Sequence, residues 1–207
     1  PEQGLVYDAG NLAFILPTGK YIGNSRYKDV FAASTTADLT SFRNHWGAET
    51  SLDVALYRPV ARYELVAKDV ATFLNKLSTG GLKGESFTAR MKYSDYLPTG
   101  YNLWDDVPKN SLMYMEYKVA FERPADGTKD LQLGFDYVLT DAGETVPIPV
   151  ELEILNEKNE VLARTAFRIP CERGKNTTVR GNFLTSDING GIGIDPDYDG
   201  DLEGDLG

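Results

Sequence analysis

The feature that most constrains this chain is an apolar residue at every second position, repeated in short runs from residue 51 onward. Ala61, Tyr63, Leu65 and Ala67 alternate with Arg62, Glu64 and Lys68. Phe87, Ala89, Met91 and Tyr93 repeat the pattern, as do Met113, Met115, Tyr117 and Val119. A period of two puts one set of side chains on each face of a pleated strand, so each run predicts a half-buried β-strand. Further strand-like runs cover residues 52–56, 131–139, 148–155, 161–169 and 177–184. Turn signals separate them: Asp126-Gly127, the polar link 156–160, and a long loop over 97–108 that carries Trp104. One stretch has helical spacing instead. Val70, Phe73, Leu74 and Leu77 share a face, Asp69 stands at the cap position, and Thr79-Gly80-Gly81 closes the run. Many short strands and one helix predict an all-β, antiparallel sandwich.

The first 57 residues read differently. Residues 11–16 and 30–33 are short apolar patches, and Asp38 is placed to cap a helical turn before Trp46. Pro59 cannot donate to a central ladder, so Arg58-Pro59 is the expected domain boundary. Residues 58–207 hold a full strand set, whereas 1–57 hold too few elements to close a sandwich. The first segment is therefore expected to be the C-terminal remainder of another sandwich domain. It would leave Phe14, Ile15, Leu16, Phe31, Leu52, Val54 and Leu56 without cover. The chain starts at Pro1, without Met or a signal peptide, and is expected to be a processed or truncated product.

Composition excludes several chemistries. A formal net charge of −10 repels phosphate backbones, so nucleic acid is not an expected partner. No apolar window approaches the ~20 residues of a spanning helix. The single cysteine, Cys171, can form no internal disulfide and reads as an apolar filler. The single histidine, His45, lies between Arg43 and Trp46 and can build neither a multi-histidine zinc site nor a well-founded triad. Asp105-Asp106, or Glu151 with Glu153, are the carboxylate pairs available for glycoside hydrolysis. Glu151 and Glu153 alternate with Leu152 and Ile154, which reads as a solvated strand face. Tyr93, Tyr96, Tyr101 and Trp104 could stack on sugars or anchor their loop to the core, and anchoring is expected. Asp195, Asp197, Asp199 and Asp201, with Gly200, resemble the first half of a calcium loop. The closing Glu is replaced by Leu206 and Glu203 comes too early, so a frayed acidic end is expected. These readings leave no catalytic, cofactor-binding or metal-ligating residue.

Four stretches stand out: GNSRYKDVFAAS (residues 23–34), RPVARYELVAKDVATFL (58–74), GFDYVL (134–139) and VRGNFLTSDINGGIGIDPDYDGD (179–201). Together they resemble the fimbrillin-like surface-adhesion family of Bacteroides-type bacteria. The resemblance implies tandem transthyretin-like β-sandwiches, the N-terminal one incomplete in this chain. It also implies a lipoprotein-derived subunit of type V pili at the outer membrane or fimbrium, assembled by strand donation, without cofactor or catalytic residue. Its partners would be other pilus-type subunits or surface ligands. The sequence departs from the family in lacking N-terminal strands and a lipobox cysteine. A carbohydrate-binding surface module built on Tyr96, Tyr101 and Trp104 is the alternative.

Overall fold

The computed structural model describes residues 6–186 and, as backbone, 199–205. It is an all-β sandwich with one short helix. Residues 6–57 form an arm that contributes β1 (Tyr7–Asp8) and β2 (Leu16–Pro17), paired antiparallel. The sandwich contains β3 (Val60–Ala67), α1 (Val70–Ser78), β4 (Ser86–Tyr93), β5 (Leu97–Asn102), β6 (Val107–Leu112) and β7 (Glu116–Glu122). It continues with β8 (Leu131–Leu139), β9 (Thr145–Asn156), β10 (Val161–Glu172), β11 (Lys175–Gly181) and β12 (Asp199–Asp205). One sheet has the order β10-β9-β4-β7 and the other β12-β11-β3-β8.

The alternating residues do what their period requires. Phe87, Ala89, Met91 and Tyr93 of β4 are all buried, facing Ala61, Tyr63, Leu65 and Ala67 of β3 in one core cluster. Helix α1 closes one end of the sandwich with Val70, Phe73 and Leu74, Phe73 meeting Phe87 edge-on at 5.1 Å between ring centroids. Asp69 is the N-cap residue of α1, its carbonyl accepting from Phe73 N (2.9 Å), but its side chain bonds no N–H of the helix. Its carboxylate accepts hydrogen bonds from Leu184 N (3.2 Å) and Thr185 N (2.8 Å), tying the chain beyond β11 to the helix start.

Three elements differ from the sequence reading. The expected loop over 97–108 is the hairpin β5–β6, with the turn at residues 103–106. Its prolines, Pro98 and Pro108, hide the strand pattern, yet a two-stranded ladder has outer edges where a missing N–H costs little. The expected strand through Met113, Met115, Tyr117 and Val119 breaks at Tyr114, whose backbone is left-handed (φ 59°). Residues 52–56 alternate in sequence but enter no ladder. One pairing is not antiparallel: β11 runs parallel to β3. The backbone of 199–205 pairs antiparallel with β11, setting Asp199 opposite Arg180 and Asp205 opposite Lys175. Part of the expected frayed end is thus a strand; Asp195, Asp197 and Leu206 lie outside the described residues.

Candidate functional site

Three of the four stretches, 23–34, 58–74 and 134–139, lie far apart in sequence and converge in space around Asp136. A bulge in β8, between the pairs Leu65–Gly134 and Val66–Gln132, sets the register there. Asp136 is fully buried. Its Oδ1 accepts from Lys28 Nζ (2.6 Å) and from Tyr137 N (2.8 Å). Its Oδ2 accepts from Tyr93 OH (2.7 Å) and from Tyr21 OH. Behind it, Tyr63 OH links to Tyr93 OH (2.8 Å) and Tyr117 OH (3.1 Å). Burial, reinforced by the Asp136 charge, raises Tyr21, Tyr63 and Tyr93 well above the ordinary tyrosine range, so these phenols remain protonated. Burial lowers Lys28, and the Asp136 charge opposes that shift.

Two glycines permit this convergence. A Cβ on Gly23 would stand 2.1 Å from the Tyr117 ring, and one on Gly134 would stand 2.4 Å from Met91 Cε. Asn24, with φ 53°, then pairs with the edge of β8: Asn24 N donates to Phe135 O (3.0 Å), and Phe135 N donates to Asn24 Oδ1 (3.2 Å). Further along, Arg58 Nε bonds Asp29 Oδ1 at 2.8 Å, with the guanidinium over the Phe31 ring. This cluster anchors the arm to the sandwich. Asp136 is closed to any substrate, so it binds and orients chain segments.

Beyond the anchor the arm turns outward. Residues 49–56 are exposed, with Leu52, Val54 and Leu56 at 56%, 48% and 68% exposure. The stretch ends at Tyr57, which pairs with Ala32 as an isolated bridge. Tyr57 OH also donates to Asp106 Oδ1 (2.5 Å), and Arg173 Nη1 reaches Asp106 Oδ2 at 2.8 Å. Burial would raise Asp106, but hydrogen bonds from Arg173, Tyr101 and Tyr57 outweigh it and bring the group down to about 2. Beside the bridge, Leu12, Ile15, Val30, Ala32, Pro59 and Leu139 line an apolar groove of ≈ 250 Å³. Of the residues expected to lack cover, Ile15 packs on Val60, Tyr101, Tyr137 and Leu139. Leu16 is half-buried in β2. Phe14 and Phe31 are exposed with the 52–56 set.

The remaining sequence candidates divide. Tyr93 and Tyr101 are buried, whereas Tyr96 and Trp104 are exposed. Tyr96, Tyr101 and Trp104 therefore do not form one platform: Tyr101 sits under Arg173 and donates its hydroxyl to Asp106. Asp105 accepts from Asn102 Nδ2 (2.5 Å), which closes the hairpin turn. Glu153 is not solvated. It has no exposure and accepts from Arg90 Nε (2.7 Å), Arg164 Nη2 (2.7 Å) and Lys92 Nζ (2.8 Å). Burial opposes its charge, but these three cations prevail and lower it to about 2. Long cationic side chains have covered the outward acid, which alternation alone does not reveal. Cys171 is buried, and burial with the Asp136 charge pushes its thiol up to about 12. His45 and Trp46 are exposed beside the 3₁₀ turn Thr40–Phe42; its cap residue is Leu39, not the expected Asp38, whose Oδ1 accepts from Thr40 N at 2.9 Å. Sequence reasoning missed Lys28 and Asp136; the available signal was an acid inside the apolar run GFDYVL.

A family of unknown function, DUF6562, has a model that matches residues 1–205, arm and sandwich together. The chain belongs to that family. No curated protein matches it. Among the solved structures to which this DUF6562 chain is similar are two proteins, each described as a "putative cell adhesion protein". The one from Bacteroides ovatus ATCC 8483 has TM-score 0.35 and 13% identity, over 61% of this chain and 41% of that one. The one from Bacteroides eggerthii DSM 20697 has TM-score 0.31 and 14% identity, over 61% of this chain and 46% of that one. This chain thus spans less than half the length of either.

Proposed function

We propose that this chain is a non-enzymatic, fimbrillin-like subunit at the bacterial cell surface, joining pilus-type or adhesive assemblies by strand completion. The observation that carries this reading is the stretch 49–56. Leu52, Val54 and Leu56 alternate as a strand would, yet their backbone enters no ladder and their side chains stand in water. Apolar burial contributes ~25 cal/mol per Å², so covering the three is worth several kcal/mol. An extended segment of another subunit would supply main-chain hydrogen bonds and apolar cover together, as in β-augmentation. On this reading residues 1–57 are the remainder of a first sandwich domain and 58–207 form the second. The resemblance of residues 23–34, 58–74 and 134–139 supports the family part of the proposal. Their convergence on an anchor closed to substrate supports an assembly role over a catalytic one.

Sedimentation velocity tests the proposal. The wild-type chain is expected to self-associate with rising concentration, and the variant Leu52→Ser/Val54→Ser/Leu56→Ser is expected to stay monomeric. A wild-type chain that remains monomeric throughout, with backbone amides of 49–56 already protected from exchange, would remove the support for strand completion. Surface labelling of intact cells tests the location; label that reaches the protein only after lysis would exclude it.

A further inference from the structure

A second surface feature lies at the break between β6 and β7. Tyr114 is 82% exposed and has a left-handed backbone (φ 59°). Bulky side chains avoid that region, and burial does not compensate the cost here. The ring stands at an open cleft of ≈ 310 Å³, lined also by Lys92, Ser94, Met115, Glu116 and Glu151. The walls are fixed by backbone bonds: Tyr93 N donates to Met115 O (2.9 Å), and Ser94 N donates to Pro149 O (3.2 Å). Lys92 is held 3.2 Å from Glu151 Oε1 and 2.8 Å from Glu153 Oε2. Glu116 is about half exposed at the rim, with Lys118 at 3.9 Å.

We propose that this cleft binds a neutral saccharide, with Tyr114 as the stacking platform and Glu116, Glu151 and Lys92 as partners for its hydroxyls. A sugar ring has an apolar C–H face that suits an exposed aromatic ring, and hydroxyls that both donate and accept. Carboxylates accept, the ammonium donates, and charge-assisted bonds of this kind select orientation. The cleft joins an apolar wall to a few convergent polar groups, the usual make-up of a small-ligand site. A cationic ligand fits less well, because Lys92 already pairs with Glu151. Nucleic acid is disfavoured by the net charge of −10. The site is separate from residues 49–56, so this inference does not rest on strand completion.

The test uses the whole chain on an array of neutral oligosaccharides, followed by calorimetry with the best binder. The decisive variant is Tyr114→Gly. Glycine tolerates the left-handed backbone, so this variant is expected to fold at least as stably as wild type. It should nevertheless lose about tenfold in affinity, the size of one aromatic contact. Glu116→Gln should weaken binding further without altering the melting temperature, and Trp104→Ala should leave binding unchanged. The inference is overturned if no neutral saccharide binds, if Tyr114→Gly binds as well as wild type, or if only cationic ligands bind.

Discussion

Residues 21–29 and 49–56 belong to one arm, and they treat water in opposite ways. The first stretch carries a lysine and a tyrosine into the sandwich interior, where Asp136 receives them. The second leaves Leu52, Val54 and Leu56 outside. Hydropathy alone would assign the reverse. A buried charge is stable when every lone pair and proton has a partner, and Asp136 has four donors. An apolar residue is buried when some element offers a face to pack on. The sandwich supplies a face for residues 21–29, and Asn24 takes the β8 edge at Phe135. The contrast marks one part of the arm as fastened and the other as exposed.

The largest expected effect breaks the fastened end. Lys28→Met leaves Asp136 buried without its cation and should destabilise the protein by about 3–5 kcal/mol. Urea unfolding measures this, and a loss below about 1 kcal/mol would make the pair ornamental. Gly23→Ala acts through packing: its Cβ would collide with the Tyr117 ring, so the arm must lift or the ring must shift. We expect about 1–3 kcal/mol of destabilisation. Hydrogen exchange should show faster amides at Asn24 and Phe135, and unchanged rates there would mean that the ring yields instead of the arm.

A smaller effect concerns Asp106, which holds Tyr57 at the end of the exposed stretch. Its pKa is lowered from 3.8 to about 2. A lowered carboxylate contributes stability that is complete above the unfolded value and is lost as pH falls through the folded one. The Tyr57 contact should thus hold at neutral pH and fade between about pH 4 and pH 2. Asp106→Asn should cost only about 1 kcal/mol, since the carboxylate is partly exposed. It should also flatten the acid limb of the stability curve; a limb as steep as wild type would assign that dependence to Glu153 or another acid. The smallest effect on folding comes from Leu52→Ser/Val54→Ser/Leu56→Ser. Its stability should lie within about 0.5 kcal/mol per site of wild type. A large loss in thermal unfolding would show that these side chains already pack within the chain, and the contrast would collapse.

Local sequence determined much of the sandwich. Period-two runs placed β3, β4, β8, β9 and β10, and the 3.6-residue spacing placed α1 to within a residue. This works because a strand or helix with one buried face must write that face into its own sequence. The Asp126-Gly127 turn and the polar 156–160 link were legible for the same local reason: Gly127 adopts φ 86°, and Asn156 Oδ1 collects Lys158 N and Glu160 N. What only the tertiary structure decided is where alternation leads and whom a charge meets. Residues 52–56 alternate as well as β3 does, but a ladder needs a neighbour, and neighbours are not encoded locally. Lys28 and Asp136 are 108 positions apart, and nothing near either residue announces the other. Glu153 looked solvated because its own strand offers only a facing direction; Arg90, Lys92 and Arg164, from strands on both sides, took it out of water. Periodicity belongs to one segment and is readable there, whereas burial of a charge depends on groups that folding alone brings together.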